Sequence, residues 1–126
     1  MVIMAKFVLM YLSMSGNTRS IAEYIAEGAR SMDIEVLMPD FYEAGIEDIL
    51  SADAIGIGSP TYEHKAMAPI EKLLDRLKNK HMNGIIGVAF GSYGWSGEAP
   101  IQIAEKMRSM GITVVDPVIR IMYGPD

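Results

Sequence analysis

Short apolar runs alternate with amphipathic stretches along the chain. Phe7-Val8-Leu9-Met10-Tyr11-Leu12 is apolar at every position, as a central parallel strand must be when helices cover both of its sides. The next segment spaces Ile21, Ile25 and Ala29 four apart, with Ala22 and Ala26 beside them, which makes one apolar helical stripe. Arg19, Glu23, Glu27 and Arg30 form its polar side. Glu35-Val36-Leu37-Met38 reads as a short strand closed by Pro39. Glu43–Ala52 predicts a weak helix anchored by Ile46, Ile49 and Leu50. Ala54–Gly58 predicts a buried strand whose glycines admit close approach of a helix or a ligand. Pro69 opens the following helix at its first position, with Ile70, Leu73, Leu74 and Leu77 inward. Ile85–Phe90 is a second two-faced strand. Pro100–Met110 predicts a helix with Ile103, Met107 and Met110 on one side, ended by Gly111. Val114-Val115 and Val118–Met122 make the last strand, interrupted by Pro117.

Strands alternating with helices imply an α/β domain, a parallel sheet wound on both faces. No linker divides it, so residues 1–126 are expected to form one domain. The sequence ends at Tyr123–Asp126, where a doubly wound domain would begin one more covering helix. Val88, Phe90 and Ile119 or Ile121 are therefore expected on an uncovered sheet face. Such a face predicts a homo-oligomer, or else a longer chain.

Composition narrows the chemistry. Half of the 126 residues are hydrophobic, enough for a core, and 11 basic against 16 acidic residues give a formal charge of −5. That balance disfavours nonspecific grasp of nucleic acid or an anionic membrane. No apolar run approaches the ~18 residues of a membrane span, and Met1–Lys6 is too short and too lightly charged for a signal peptide; a cytoplasmic protein is expected. Without cysteine there is no thiol catalysis, no iron–sulfur ligation by Cys and no Cys-type zinc. His64 and His81 are too few for a multi-histidine metal site. The chemistry is either absent or borrowed from a cofactor.

Ligands of such sheets bind outside the carboxyl ends of the strands, and the loops there are unusual. In Ser13-Met14-Ser15-Gly16-Asn17-Thr18, four of six residues carry a hydroxyl or an amide, and the loop runs into a helix N-terminus that favours an anion. Helix capping alone would also explain it. The loop has neither the Lys of a P-loop nor the three glycines of the dinucleotide fingerprint, and Arg19 beyond it reads as solvated. Ser59-Pro60-Thr61-Tyr62-Glu63-His64 is a shelf stiffened by proline that carries an aromatic ring; His64 reads as solvent-facing. Gly91-Ser92-Tyr93-Gly94-Trp95-Ser96-Gly97-Glu98 combines the one tryptophan with three glycines, as a planar ligand lying against an aromatic wall would require. The alternative is a tryptophan folded onto the core.

As a set, these loops resemble flavodoxins. Ser13–Thr18 matches the loop that holds the phosphate of FMN, Ala54–Tyr62 the strand and loop beneath the flavin ring, and Phe90–Ala99 the third flavin loop. The third is in the form found in the flavodoxin-like domain of flavodiiron (A-type) flavoproteins. The likeness covers Lys6 to about Met122. It implies a five-stranded parallel sheet of order 2-1-3-4-5, lacking the final helix, with FMN at the switch point that this fold is known for. Carried over by position, Ser13, Met14, Ser15, Gly16, Asn17 and Thr18 surround the phosphate. Ser59, Pro60, Thr61 and Tyr62 line the ring, and Gly91, Ser92, Tyr93, Gly94, Trp95 and Gly97 supply backbone donors and a wall. Met14 departs from the small or hydroxyl residue usual there. Nothing corresponds to the metal-binding domain of flavodiiron proteins, so no diiron chemistry is implied.

The resemblance implies an electron carrier with FMN as cofactor and redox proteins as partners, with no catalytic residue and no metal. The alternative is an FMN-dependent NAD(P)H reductase of quinones or similar acceptors; it needs room over the flavin that Tyr62 and Trp95 would crowd. A phospho-acceptor receiver domain is rejected, because Gly58-Ser59 stands where its Asp belongs.

Overall fold

The computed structural model describes residues 5–13, 16–42, 45–61, 64–78, 80, 82–93, 97–115 and 118–122. Ten elements follow in order: β1 (Lys6–Tyr11), α1 (Asn17–Arg30), β2 (Glu35–Leu37), α2 (Ile46–Leu50), β3 (Ala54–Gly58), α3 (Ala68–Leu77), β4 (Ile86–Tyr93), α4 (Glu98–Ser109), β5 (Thr113–Val114) and β6 (Ile119–Met122). All strand pairs are parallel, in the order β2-β1-β3-β4-β5, and β6 also pairs with β4.

β5 and β6 are one edge strand in two pieces. Gly87 faces Val114 and Phe90 faces Ile119, so two residues of β4 (88, 89) correspond to four of the edge strand (115–118). Pro117, where the interruption is expected, lies outside the described residues. β5 ends at Val114 and β6 begins at Ile119, so neither strand includes Val115 or Val118.

Side chains divide between two clusters because strand neighbours point to opposite faces. On one face, Val8, Met10, Ile55, Ile57 and Ala89 pack beneath α2, α3 and α4. On the other, Phe7, Leu9 and Phe90 pack beneath Ile21, Ala22 and Ala26 of α1. The glycines of β3 serve this second layer: a Cβ on Gly56 would meet Leu9 and Phe7, and one on Gly58 would overlap the Phe90 ring. Their close approach is to side chains of the neighbouring strands rather than to a helix.

Several boundaries differ from expectation. α2 is only five residues long. α3 begins at Ala68, with Pro69 still in the first turn where its missing N–H is harmless. α4 begins at Glu98, two residues before Pro100. β4 runs on to Tyr93, so Gly91, Ser92 and Tyr93 are strand and not loop. The uncovered face also changes. Phe90 is wholly buried beneath α1, and Val88 and Ile119 are half-buried. Ile86, Val115 and Ile121 are exposed apolar residues at that edge, 43–49% accessible, and Met122 at the end of β6 is 60% accessible.

Candidate functional site

Parallel strands bring the carboxyl ends of β1, β3 and β4 to one rim. Leu12 N–H donates to Gly58 O at 3.2 Å, which ties the first loop to the second. Pairing between the second segment and β4 continues past the end of β3: Ser59 N–H donates to Phe90 O at 3.2 Å and Thr61 N–H to Ser92 O at 3.1 Å. The first loop meets the third through Thr18 Oγ1 and Ser92 Oγ, 2.8 Å apart and buried. Ser92 therefore touches both other segments, one through its carbonyl and one through its hydroxyl.

The first loop ends in an anion-binding geometry. Gly16 caps α1 in the left-handed region (φ 88°) and contributes no side-chain cap, and the first turn contains no acidic residue. Ser13 Oγ accepts the N–H of Gly16 at 3.1 Å and of Arg19 at 3.4 Å. Helix geometry leaves the N–H groups of Asn17 and Thr18 without an intrahelical acceptor. These donors, at the positive end of a 14-residue helix, suit a phosphate without any cation. The Arg19 side chain instead pairs with Glu23 at 3.1 Å on the surface.

In the second loop the hydroxyls build structure. Ser59 is fully buried; its Oγ donates to Pro60 O at 2.8 Å and accepts Met67 N–H at 3.0 Å. Ser59 is thus structural, its hydroxyl and its N–H both engaged within the protein. Thr61 Oγ1 accepts Ala99 N–H at 3.0 Å and so caps the first turn of α4, while its own proton stays free to point elsewhere. Pro60 is half-buried beside it.

In the third segment Gly91 is required by packing. A Cβ there would overlap Ser59 O. Tyr93 is half-buried, and Gly97 backs onto it: a Cβ on Gly97 would sit 3.1 Å from the Tyr93 ring and 3.3 Å from Arg120 Cδ. Of the predicted site residues, Ser13, Gly16, Asn17, Thr18, Ser59, Pro60, Thr61, Gly91, Ser92, Tyr93 and Gly97 fall on this rim; Met14, Ser15, Tyr62, Gly94 and Trp95 lie outside the described residues.

The flavodoxin profile matches residues 9–126. The chain belongs to the flavodoxin family. This is an FMN-binding, electron-transfer family, and the sheet order and helices are flavodoxin-like. A solved flavodoxin from the domain Archaea is 49% identical and superposes with a TM-score of 0.89, covering 96% of this chain and 85% of that one. Rubredoxin oxygen:oxidoreductase from Desulfovibrio gigas is 29% identical at a TM-score of 0.88, covering 96% of this chain and 31% of its own. Type A flavoprotein fprA of Rhodobacter capsulatus is 32% identical over 123 residues, 94% of this chain and 28% of the relative. The chain thus spans less than a third of the length of the curated relatives it matches.

The described residues fit an FMN phosphate and ring edge. The donor set at α1 is neutral, and the tight Gly91–Ser59 contact brings two backbones side by side on the rim. Among the described residues, no cluster of His, Cys, Asp or Glu could hold a metal ion, and no helix is long and apolar enough to cross a membrane.

Sequence reasoning passed over one part of this rim. His64 was read as solvent-facing and is indeed exposed, yet its Nδ1 lies 3.3 Å from Glu98 Oε1. Glu98 and Gln102 share a face of α4 at four-residue spacing. No signal in the sequence tied either residue to the distant second loop.

Proposed function

We propose that this chain, as one domain over residues 1–126, binds FMN at the rim and carries electrons between redox partner proteins. The convergence of three separate segments on Ser92 supports this reading best, because it creates a site that no single loop has. Bound FMN supplies the redox chemistry. The protein binds it, shields it and sets its potentials. Backbone N–H groups of Asn17 and Thr18 hold the phosphate, with Ser13 keeping the turn in shape and Met14, Ser15 and Gly16 completing it. Pro60, Thr61 and Tyr62 line one side of the ring through backbone and aromatic contact. Gly91, Tyr93, Gly94, Trp95 and Gly97 form the other, and Ser59 and Ser92 hold the two sides in register.

Partners dock at the exposed flavin edge, and the charge of −5 favours a basic partner surface. Self-association through Ile86, Val115 and Ile121 is a further expectation, since these side chains expose apolar surface on one sheet face.

The test is titration of the purified protein with FMN, followed by flavin fluorescence. Saturable one-to-one quenching is expected, with riboflavin binding at least tenfold more weakly. The bound flavin should then exchange electrons with a redox protein, while NADPH alone leaves its colour unchanged. A protein that takes up no FMN refutes the site, and rapid bleaching by NADPH alone favours the reductase.

A further inference from the structure

Gln102 faces the second loop from α4 and uses both ends of its carboxamide. Nε2 donates to His64 O at 2.9 Å, and Oε1 accepts Ala66 N–H at 3.2 Å. Only this orientation of the amide satisfies both partners, since a flipped group would set acceptor against carbonyl and donor against N–H. The two bonds bracket Lys65, directly after a residue in an unfavourable conformation. His64 has φ 66°, one of two described non-glycine residues in the left-handed region. That conformation costs a side-chain-bearing residue stability and persists only where surroundings over-determine it.

The turn is the return leg of the loop that carries Ser59, Pro60 and Thr61. Its far end is pinned where Met67 N–H reaches Ser59 Oγ at 3.0 Å, and its near end where Ala99 N–H reaches Thr61 Oγ1. Gln102 closes the circuit between the loop and α4.

We propose that Gln102 is a positioning residue: its amide splints the left-handed turn at His64 and so fixes the cofactor-facing segment 59–61 against α4 before FMN arrives. The inference rests on the FMN reading of the rim. A loop ordered in advance leaves less conformational entropy to lose on binding, so the splint acts on affinity through backbone it holds and not through contact with the cofactor.

The test combines FMN affinity with amide exchange at Ala66 in the apo protein. Gln102→Ala should weaken FMN binding by at least fivefold and accelerate Ala66 exchange at least tenfold. Gln102→Glu can still accept from Ala66 but cannot donate to His64 O, and should fall between. Glycine adopts the left-handed turn freely, so adding His64→Gly to Gln102→Ala should recover at least half of the logarithmic loss. A merely structural role would not give that rescue. Binding of FMN by Gln102→Ala within twofold of the parent overturns the proposal, as does a loss that His64→Gly fails to relieve. A parent protein that binds no FMN overturns the site and this proposal together, and the apo exchange rates separate that failure from failure of the splint.

Discussion

Thr18 and Ser92, 74 positions apart in sequence, share a buried hydrogen bond of 2.8 Å between their hydroxyls. It joins the first turn of α1 to the carboxyl end of β4 at the point where Ser92 O also receives Thr61 N–H. Replacing Thr18 by Val keeps the shape and leaves the Ser92 hydroxyl buried without this partner, a loss of about 1–3 kcal/mol. For a domain of this size the melting temperature should fall by roughly 3–5 °C per kcal/mol. Adding Ser92→Ala should restore part of that loss, because the stranded hydroxyl is then gone. Thermal denaturation of the two single variants and the double variant checks this; strictly additive losses would show that the pair is not coupled.

Gly91 and Gly97 predict a contrast. A methyl on Gly91 would overlap backbone, the Ser59 carbonyl, whereas one on Gly97 would meet the Tyr93 ring and the Arg120 stem. Backbone can move only by parting β3 from β4, so Gly91→Ala should destabilise by at least about 1–3 kcal/mol and abolish FMN uptake. Gly97→Ala needs only side chains to shift and should cost less. Urea denaturation and FMN titration of both variants test the order; equal losses would refute it.

The strands and helices were legible in the sequence because each carries its own period: Phe7–Met10 is buried throughout, and Ile70, Leu73, Leu74 and Leu77 are the buried stripe of α3. The order of the loops was legible through family resemblance. What could not be read was the consequence of strand pairing. Gly91–Tyr93 looked like loop because glycine and polar residues dominate it, yet Thr61 and the edge strand both pair there and extend β4. Phe90 was expected on an uncovered face because alternation along β4 assigns a face without showing how far α1 reaches across it. α1 crosses far enough to bury it against Ala22 and Ile21. The hydroxyls of Ser59 and Thr61 looked like ligand donors, and their engagement with Met67 and Ala99 depends on where α3 and α4 begin.

Asn17→Asp separates helix stability from anion binding. The first turn of α1 contains no acidic residue. A carboxylate there interacts favourably with the helix dipole, by about 0.3–1 kcal/mol, so the apo protein should melt at the same temperature or slightly higher. The same charge repels a phosphate held by the adjoining N–H groups, and FMN affinity should drop at least tenfold while riboflavin affinity changes little. The opposite signs are diagnostic. If FMN and riboflavin weaken equally, the phosphate is not seated at this helix.

The apolar edge formed by Ile86, Val115 and Ile121 lies on the same sheet face as Phe90, beyond the reach of α1. Because these side chains are 43–49% accessible, replacing Ile121 by Lys removes little packing and should change stability by no more than about 0.5 kcal/mol. If the face joins two copies, the charge would have to be buried in the interface, and a charge desolvated without a partner is strongly unfavourable. Sedimentation velocity should then show the parent chain associating with rising concentration and Ile121→Lys remaining monomeric under the same conditions. A second variant, Tyr24→Lys on the exposed face of α1, should associate as the parent does. Loss of association in both would mean that added charge alone, and not this face, governs it.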